Sequence, residues 1–106
     1  MSECKSVPMY EAQYVVRRVD LASEHFVAIG EAPEVYAARR LRGAVIDVLG
    51  EFPSFHQIES RHTNAGLEVT MYVPIDEPHP GESFKSWFRP ARDGRRCLMS
   101  ISENDQ

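Results

Sequence analysis

In the sequence Leu67-Glu-Val-Thr-Met-Tyr-Val-Pro-Ile75, every second side chain is aliphatic or a methionine. Successive side chains of a β-strand point to opposite faces, so this pattern predicts a strand with one buried face and one face in contact with water. The buried face is expected to carry Leu67, Val69, Met71, Val73 and Ile75. This is the strongest strand pattern in the chain, and it predicts a sheet that is covered on one side.

The residues before this strand predict a hairpin partner for it. Residues 55–62 form an extended run, and Thr63-Asn-Ala-Gly66 after them contains residue types that are common in tight turns. Pro74 lacks a backbone N–H, so it places the end of the second strand at a sheet edge or beyond the ladder. Further along the chain, residues 96–102 predict a last strand.

A long amphipathic helix is predicted over residues 33–50. Pro33 suits its first turn because the missing N–H would have no helical partner there, and Gly50 followed by Pro53 ends it. At 100° per residue, the apolar residues fall on one arc of roughly 140°. They are Ala37, Ala38, Leu41, Ala44, Val45, Val48 and Leu49.

Three shorter segments complete the pattern. Residues 82–89 predict a short helix with its three aromatic rings on one face. Residues 13–19 are rich in β-branched side chains and predict a strand. Residues 25–29 suit a second strand, which would complete a hairpin with the first across a five-residue loop, whereas residues 21–29 also suit a helical turn, and we favour the strand.

These elements predict an α+β fold: a small single-domain sandwich in which an antiparallel sheet carries one long helix and one short helix. Without the uncertain second strand, the order is the βαββαβ order of ferredoxin-like sandwiches, with both helices on one face of the sheet. With that strand the order is ββαββαβ, and the sheet opens with a hairpin. The domain is expected to cover residues 10–102, between a flexible tail at 1–9 and a disordered end at 103–106.

Length and composition limit the functional class. A chain of 106 residues with a net charge of −4 has the usual size of one domain. It contains no run of about 18 apolar residues and no visible secretory signal, so we expect a cytoplasmic protein with no membrane contact. Cys4 and Cys97 are then expected to be free thiols, with Cys97 buried and packed as a small apolar side chain.

The outward side of the long helix is unusual for a solvated surface. It carries Tyr36, Arg39, Arg40, Gly43 and Ile46, which we name the helix face. A glycine inside a helix costs about 1 kcal/mol relative to alanine, and tyrosine and arginine are enriched where protein interfaces carry binding energy. The helix face therefore indicates either a protein interface or, equally well, a glycine close to a loop of the same molecule beside one ordinary exposed isoleucine.

The segment from Phe84 to Arg96, which we name the basic segment, holds five cations and one acid in a chain that is acidic as a whole. Arginines beside aromatic rings can neutralise the phosphates of single-stranded nucleic acid while the rings stack on its bases. The candidate contacts are Lys85, Trp87, Arg89, Arg92, Arg95 and Arg96. The same pattern fits a short helix whose rings face the core and whose arginines are solvated, and the acidity of the chain favours that interpretation.

No pattern in the sequence predicts a cofactor, a metal site or a catalytic centre. His56 and His62 would lie about 20 Å apart on one strand, which is too far for one metal ion. Glu59 and Glu68 could meet across the hairpin as an acid–base pair, but cross-strand charge pairs on an exposed hairpin are the commoner origin of such residues. Signatures of a nucleophile or a phosphate-binding loop are absent from the sequence as well.

We therefore predict a non-enzymatic interaction or regulatory module of the adaptor or inhibitor type. It would bind a protein partner, or form a homodimer, through the helix face or the exposed edge of its sheet, and the basic segment around Trp87, Arg89 and Arg92 is a second candidate surface. A nucleic-acid-binding regulator that uses the basic segment is the alternative. A small-ligand pocket between sheet and helices is a third and weaker interpretation, because a fold alone does not establish a site.

Overall fold

The strand predicted from the alternating residues is present within a five-stranded antiparallel sheet. The computed structural model describes residues 2–102, with the backbone alone for residues 2–5 and 99–102, so the predicted disordered end at 103–106 lies outside it. In chain order the elements are β1 (Ser2–Arg17), α1 (Arg18–Ala22), α2 (His25–Ile29), α3 (Pro33–Leu49), β2 (Gln57–Thr63), β3 (Gly66–Pro74), α4 (Glu82–Trp87), β4 (Arg89–Pro90) and β5 (Arg96–Ser102). The molecule is thus a small α+β domain with a curled antiparallel sheet and a few helices.

Strand β1 connects two parts of the sheet. Its first half, Ser2–Pro8, pairs with β5 as a ribbon, and its second half, Met9–Arg17, pairs with β3. The strand order across the main sheet is β2-β3-β1-β4, and every neighbouring pair is antiparallel. With the ribbon included, the molecule measures 54 × 25 × 25 Å. This order makes β2 one edge of the sheet.

Helix α3 covers one face of the sheet, over β1 and β3. Ala37, Leu41 and Val45 on its inner side are completely buried, and so is the apolar face predicted for β3. Burial of one aliphatic side chain of the size of leucine stabilises a fold by about 1.5–3 kcal/mol. The predicted helix stripe and the predicted strand face are both confirmed as the main core.

Residues 18–29 form two short helices, so the favoured strand at 25–29 is wrong, and with it the ββαββαβ order. Among the described residues, β4 and β5 pair with β1 only as far as Glu11, so strand pairing alone does not exclude a further strand beside residues 12–17. The helices instead turn Leu21 and Phe26 onto the core. Gly30, with a φ of 69°, ends α2 in the left-handed conformation that favours glycine.

Regular structure begins at Ser2 rather than near Tyr10, so the irregular tail predicted over residues 1–9 is wrong for the described part of that segment. Val7 and Met9 are buried, at 3% and 2% exposure. Strand β5, the partner of this segment, is distant in the chain, and therefore no local pattern reveals the pairing.

Cys97 belongs to a second, small apolar cluster at the junction of the ribbon and the main sheet. Met9 and Ala91 are the other buried members, and Tyr72 packs against them. The Cys97 thiol is free and buried, as the sequence predicts. It acts here as a small apolar side chain.

Candidate functional site

Strand β2 is the outer strand on one side of the sheet, and within residues 2–102 only β3 pairs with it. All residues from Gln57 to His62 are exposed, in contrast to the largely buried β3. An edge strand presents backbone N–H and C=O groups that another chain can pair with. We name the free side of residues Gln57–Thr63 the β2 edge.

The hairpin geometry shows which backbone groups point to the β2 edge. Thr63 lies opposite Gly66 across a two-residue turn. The pair that closes such a turn exchanges both backbone hydrogen bonds, after which hydrogen-bonded and other pairs alternate along the ladder. The residues whose backbone groups point toward β3 are therefore Gln57, Glu59, Arg61 and Thr63. Those whose backbone groups point to the β2 edge are Ile58, Ser60 and His62.

The helix-side face of β2 is left open to solvent. The side chains of Ile58, Ser60 and His62 lie on this face, opposite buried residues of β3. Helix α3 packs over β1 and β3, and Ile58 is consequently 45% exposed. The strand therefore offers both its backbone edge and an apolar side chain to a binding partner.

A carboxylate and a guanidinium stand next to each other on the opposite face of β2. Arg61 Nε donates a hydrogen bond to Glu68 Oε1 at 2.9 Å. Glu59 Oε2 accepts one from Arg95 Nη2 at 3.3 Å. The Arg95 guanidinium carbon lies 3.9 Å from the centroid of the Tyr72 ring, in position for a cation–π contact. These contacts hold Glu59 and Arg61 in place as a pair of opposite charges.

The groups around this pair are fixed in one charge state at neutral pH. Burial raises the pKa of Tyr72, and the negative charge of Glu59 adds to the effect, so the tyrosine keeps its proton and donates to Glu59 Oε1 at 3.4 Å. Hydrogen bonds from Arg95 lower the pKa of Asp93, which stays a carboxylate. Tyr72 and Asp93 therefore do not change charge near neutral pH.

The same side of the sheet forms a polar groove of about 460 Å³. Its lining consists of Glu11, Gln13, Glu59, Ser60, Arg61, Glu68, Thr70, Tyr72, Arg92 and Asp93. Glu11 is 3% exposed, and its carboxylate accepts hydrogen bonds from Arg89 Nε at 2.7 Å and from the Arg92 backbone N–H at 3.3 Å. A buried carboxylate requires such partners. Glu11 therefore joins the basic segment to β1.

The two carboxylates considered for acid–base chemistry do not lie opposite each other. The register places Glu59 opposite Thr70 and Glu68 opposite Arg61. Each carboxylate has its own arginine partner, and His62 lies on the other face of β2. This is the arrangement of cross-strand ion pairs on an exposed hairpin.

Part of the helix face is used inside the fold. Tyr36 is half-buried, and its ring packs edge-on against Phe26 with 5.5 Å between centroids. Arg39 donates hydrogen bonds of 3.0 and 3.2 Å to Glu31, and these bonds, with the charge of the guanidinium, lower the pKa of that carboxyl. These two residues of the helix face already have partners in the chain.

The other three residues of the helix face, Arg40, Gly43 and Ile46, are exposed, although the Arg40 guanidinium also interacts with the Tyr14 hydroxyl. In the described part of the chain, no atom beyond the helix backbone lies within 4 Å of the place where a Cβ on Gly43 would stand. Within the described residues, Gly43 therefore does not pack against a loop of the same molecule.

The aromatic rings of the basic segment belong to the core. Phe84 and Phe88 are buried, and Trp87 packs against the core cluster. The Tyr10 ring meets Phe84 edge-on at 5.6 Å. Rings in this position cannot stack on nucleic-acid bases, so the structure agrees with the core-facing interpretation of these residues.

Three of the five cations in the basic segment are paired with carboxylates. Arg89 and Arg92 both bind Glu11, and Arg95 binds Asp93 at 3.0 Å. The further exposed cations of the segment are Lys85 and Arg96. Charge that is balanced inside the molecule contributes less to phosphate binding, which weakens the prediction of a nucleic-acid contact.

The histidines do not assemble a metal site in the described part of the chain. His25, His56 and His79 pack against aromatic rings, with centroid distances of 5.0, 4.8 and 6.0 Å. Among the side chains that the structure describes, those of residues 6–98, no three His, Cys, Asp or Glu residues are placed to hold one metal ion. No described helix is long and apolar enough to cross a lipid bilayer.

From the sequence we predict a contact at the sheet edge without assigning residues to it. The signal for β2 was present in Gln57-Ile-Glu-Ser-Arg-His-Thr63, where polar side chains occupy both faces. Charged side chains of this kind are typical of an exposed edge strand. Comparison with protein families, with curated proteins and with solved structures finds no match for this chain.

Proposed function

We propose that this chain is a non-enzymatic interaction module with a regulatory role, and that it binds protein through the β2 edge. The supporting observation is that every residue from Gln57 to His62 is exposed, on a strand that pairs only with β3 within residues 2–102. A strand added to such an edge gains main-chain hydrogen bonds, while side chains provide specificity. The module would act as an adaptor or inhibitor by covering or recruiting its partner.

The exposed part of the helix face supports the same proposal as a second contact. Arg40, Gly43 and Ile46 are exposed together on α3. A glycine with free space above it lets another surface approach the helix closely, and arginine is enriched in the parts of interfaces that carry binding energy. A partner that binds these three residues would contact helix α3 rather than the edge of the sheet.

We further propose a ferredoxin-like arrangement for the domain and a cytoplasmic location. The fold proposal is supported by the sheet order β2-β3-β1-β4 with antiparallel neighbours, and by helices α3 and α4 at the two crossovers of the chain. The location is supported by a cysteine content too low for a disulfide framework.

Nucleic-acid binding by the basic segment is the less well supported alternative. Its arginines are largely paired with carboxylates of the same chain. Binding of an oligonucleotide that falls steeply with salt, and is lost when Arg92, Arg95 and Arg96 are changed to serine, would favour it over protein binding.

Substitution of Ser60 tests the main proposal. Ser60→Pro removes an N–H that points to the β2 edge and leaves the ladder to β3 intact, and proline is tolerated on an edge strand in that position. Ser60→Thr keeps the N–H and is the matched control. We expect affinity capture from native cytoplasm and the solution mass to show a partner for the wild type and for Ser60→Thr, but not for Ser60→Pro.

Equal capture and equal solution mass for all three proteins would overturn the β2 edge as the contact. Loss of the partner with Gly43→Glu and Ile46→Glu, but not with Ser60→Pro, would assign binding to the helix face instead. Circular dichroism and the thermal midpoint of each variant show whether the variant is folded.

A further inference from the structure

The β2 edge matches a second copy of itself. We propose, on the basis of the proposed function, that two copies of this chain pair antiparallel through β2 in a register centred on Ser60, which joins their sheets into one. Most homodimers have two-fold symmetry, and here the axis is perpendicular to the sheet. In an antiparallel pair of identical strands, the two-fold axis lies midway between the strands. One residue of β2 therefore lies directly opposite the same residue of the second copy.

Charge selects Ser60 as that central residue. In this register Glu59 lies opposite Arg61 of the second copy, and Arg61 lies opposite Glu59 of the second copy, so both pairs join opposite charges. A register centred on residue 59 would place two glutamates together, and one centred on residue 61 would place two arginines together. Like charges directly opposite are destabilising. The Ser60 register also pairs all 7 residues of β2.

The backbone agrees with the same register. Ile58, Ser60 and His62 direct their N–H and C=O groups outward, as the closing pair of the hairpin requires. In the register centred on Ser60, these three residues lie opposite His62, Ser60 and Ile58 of the second copy, respectively. Every outward N–H and C=O group is then hydrogen-bonded. Glu59 and Arg61 fall on the positions between, where the side chains of opposite residues lie closer together.

Ion pairs inside each copy extend the alternation of charge. Arg95 binds Glu59 at 3.3 Å, and Glu68 binds Arg61 at 2.9 Å. Contact between Glu59 and Arg61 of the second copy then completes a row of four charges with alternating signs. Such a network contributes more than one isolated surface ion pair.

The same charges limit what else the edge can pair with. Natural edge strands carry charged side chains that prevent indiscriminate pairing. Glu59 and Arg61 disfavour the registers centred on residues 59 and 61 and favour the register centred on Ser60. Among these three registers, the edge is therefore selective for one. An edge with charges of one sign would reject a second copy in every such register.

Two charge variants test the proposal, alone and mixed. Glu59→Lys places an ammonium group opposite Arg61 of the second copy, and Arg61→Glu places two carboxylates opposite each other, so each variant alone is expected to be monomeric where the wild type is dimeric. An equimolar mixture restores a cross-copy pair of opposite charges at both positions and is expected to form a heterodimer with roughly tenfold or higher affinity than either variant alone. Sedimentation equilibrium measures all three. Contacts within each copy are the same alone and mixed, so the mixture is its own control.

A mixture that associates no more tightly than its components would overturn the register, and so would a dimer that neither substitution weakens. A wild type that stays monomeric at every concentration would overturn the second copy as partner. If the wild type is monomeric but captures a different protein, and Ser60→Pro no longer captures it, the proposed function stands without the dimer. If no protein is captured either, both the dimer and the proposed function are overturned. Should a charge variant fail to fold, Glu59→Gln and Arg61→Gln remove the same pairs and are expected to weaken the dimer.

Discussion

Arg89 Nε lies 2.7 Å from Oε2 of Glu11, and the two side chains differ widely in exposure. The Glu11 side chain is 4% exposed, whereas that of Arg89 is 46% exposed. Loss of Arg89 would leave the buried carboxylate with only the longer contacts to Arg92, while loss of the carboxylate would leave a guanidinium that water can solvate. Removal of Arg89 is therefore expected to cost more stability than removal of the Glu11 charge.

We expect Arg89→Ala to destabilise the fold more than Glu11→Gln. After Arg89→Ala, the carboxylate keeps Arg92 Nε at 3.6 Å and the Arg92 backbone N–H, and we expect a loss of about 2–4 kcal/mol in the free energy of unfolding. Glu11→Gln keeps the shape and an acceptor oxygen, and its loss is expected to be about 1 kcal/mol. Urea unfolding measures both, and the reverse order would contradict this assignment.

Two glycines are expected to respond in opposite ways to alanine. Gly66 has a φ of 139°, and a Cβ there would overlap the backbone oxygen of Val16. Gly43 has open space around the position of a Cβ. Gly66→Ala is expected to destabilise by about 3 kcal/mol or more, and Gly43→Ala to stabilise by about 0.5–1 kcal/mol. Thermal unfolding distinguishes them, and a neutral Gly66→Ala would contradict the close approach of the hairpin to β1.

The elements that can be predicted from the sequence are those with one face buried in the core and the other face exposed along their whole length. Strand β3 has α3 on one face and the polar groove on the other, and α3 has the sheet on one side and solvent on the other, so the periodicity of each is clear. Residues 18–29 lack such a pattern, since helical turns bring Leu21 and Phe26 to the core and leave Val27 exposed. The contacts of Leu21 and Phe26 with the core favour the helices there, and those contacts are not local in the chain.

The candidate site is visible in the sequence only in part. Helical spacing correctly places the rings of the basic segment in the core. The partner of its arginines, Glu11, lies 78 residues from Arg89 in the chain, so no local pattern pairs them. The exposure of β2 likewise follows from the position of α3 over β1 and β3, which the sequence of β2 does not contain.

Acid titration is expected to reveal the contact between Asp93 and Arg95. Side-chain and backbone hydrogen bonds from Arg95 hold the pKa of the Asp93 carboxyl below its ordinary value of 3.8. A carboxyl with a depressed folded pKa stabilises the fold above its unfolded pKa, and this contribution is lost as the pH falls through the folded pKa. Asp93→Asn is therefore expected to be less stable than the wild type at neutral pH and equally stable below the folded pKa.

Urea unfolding at a series of pH values measures this difference. The amide oxygen introduced by Asp93→Asn would still accept a hydrogen bond from the Arg95 backbone, so the substitution changes the charge with little change in shape. A difference between the two proteins that is independent of pH would contradict the assignment to the Asp93 charge.

A disulfide at residue 60 is expected to report the register of the proposed dimer. Opposite Cα atoms in a hydrogen-bonded antiparallel pair lie about 5.5 Å apart, which a disulfide can span. Ser60→Cys in a Cys4→Ser background is therefore expected to give an intermolecular disulfide on mild oxidation. Ile58→Cys is the matched control, because its own copy lies more than about 13 Å away along the paired strands.

Mixing extends this test from the centre of β2 to its ends. In the Ser60 register residue 58 lies opposite residue 62 of the second copy, so Ile58→Cys and His62→Cys are each expected to stay reduced alone and to cross-link when mixed. Non-reducing electrophoresis and mass spectrometry identify the linked residues. Collisions between exposed thiols would cross-link Ile58→Cys alone as readily as Ser60→Cys, and that result would contradict the register.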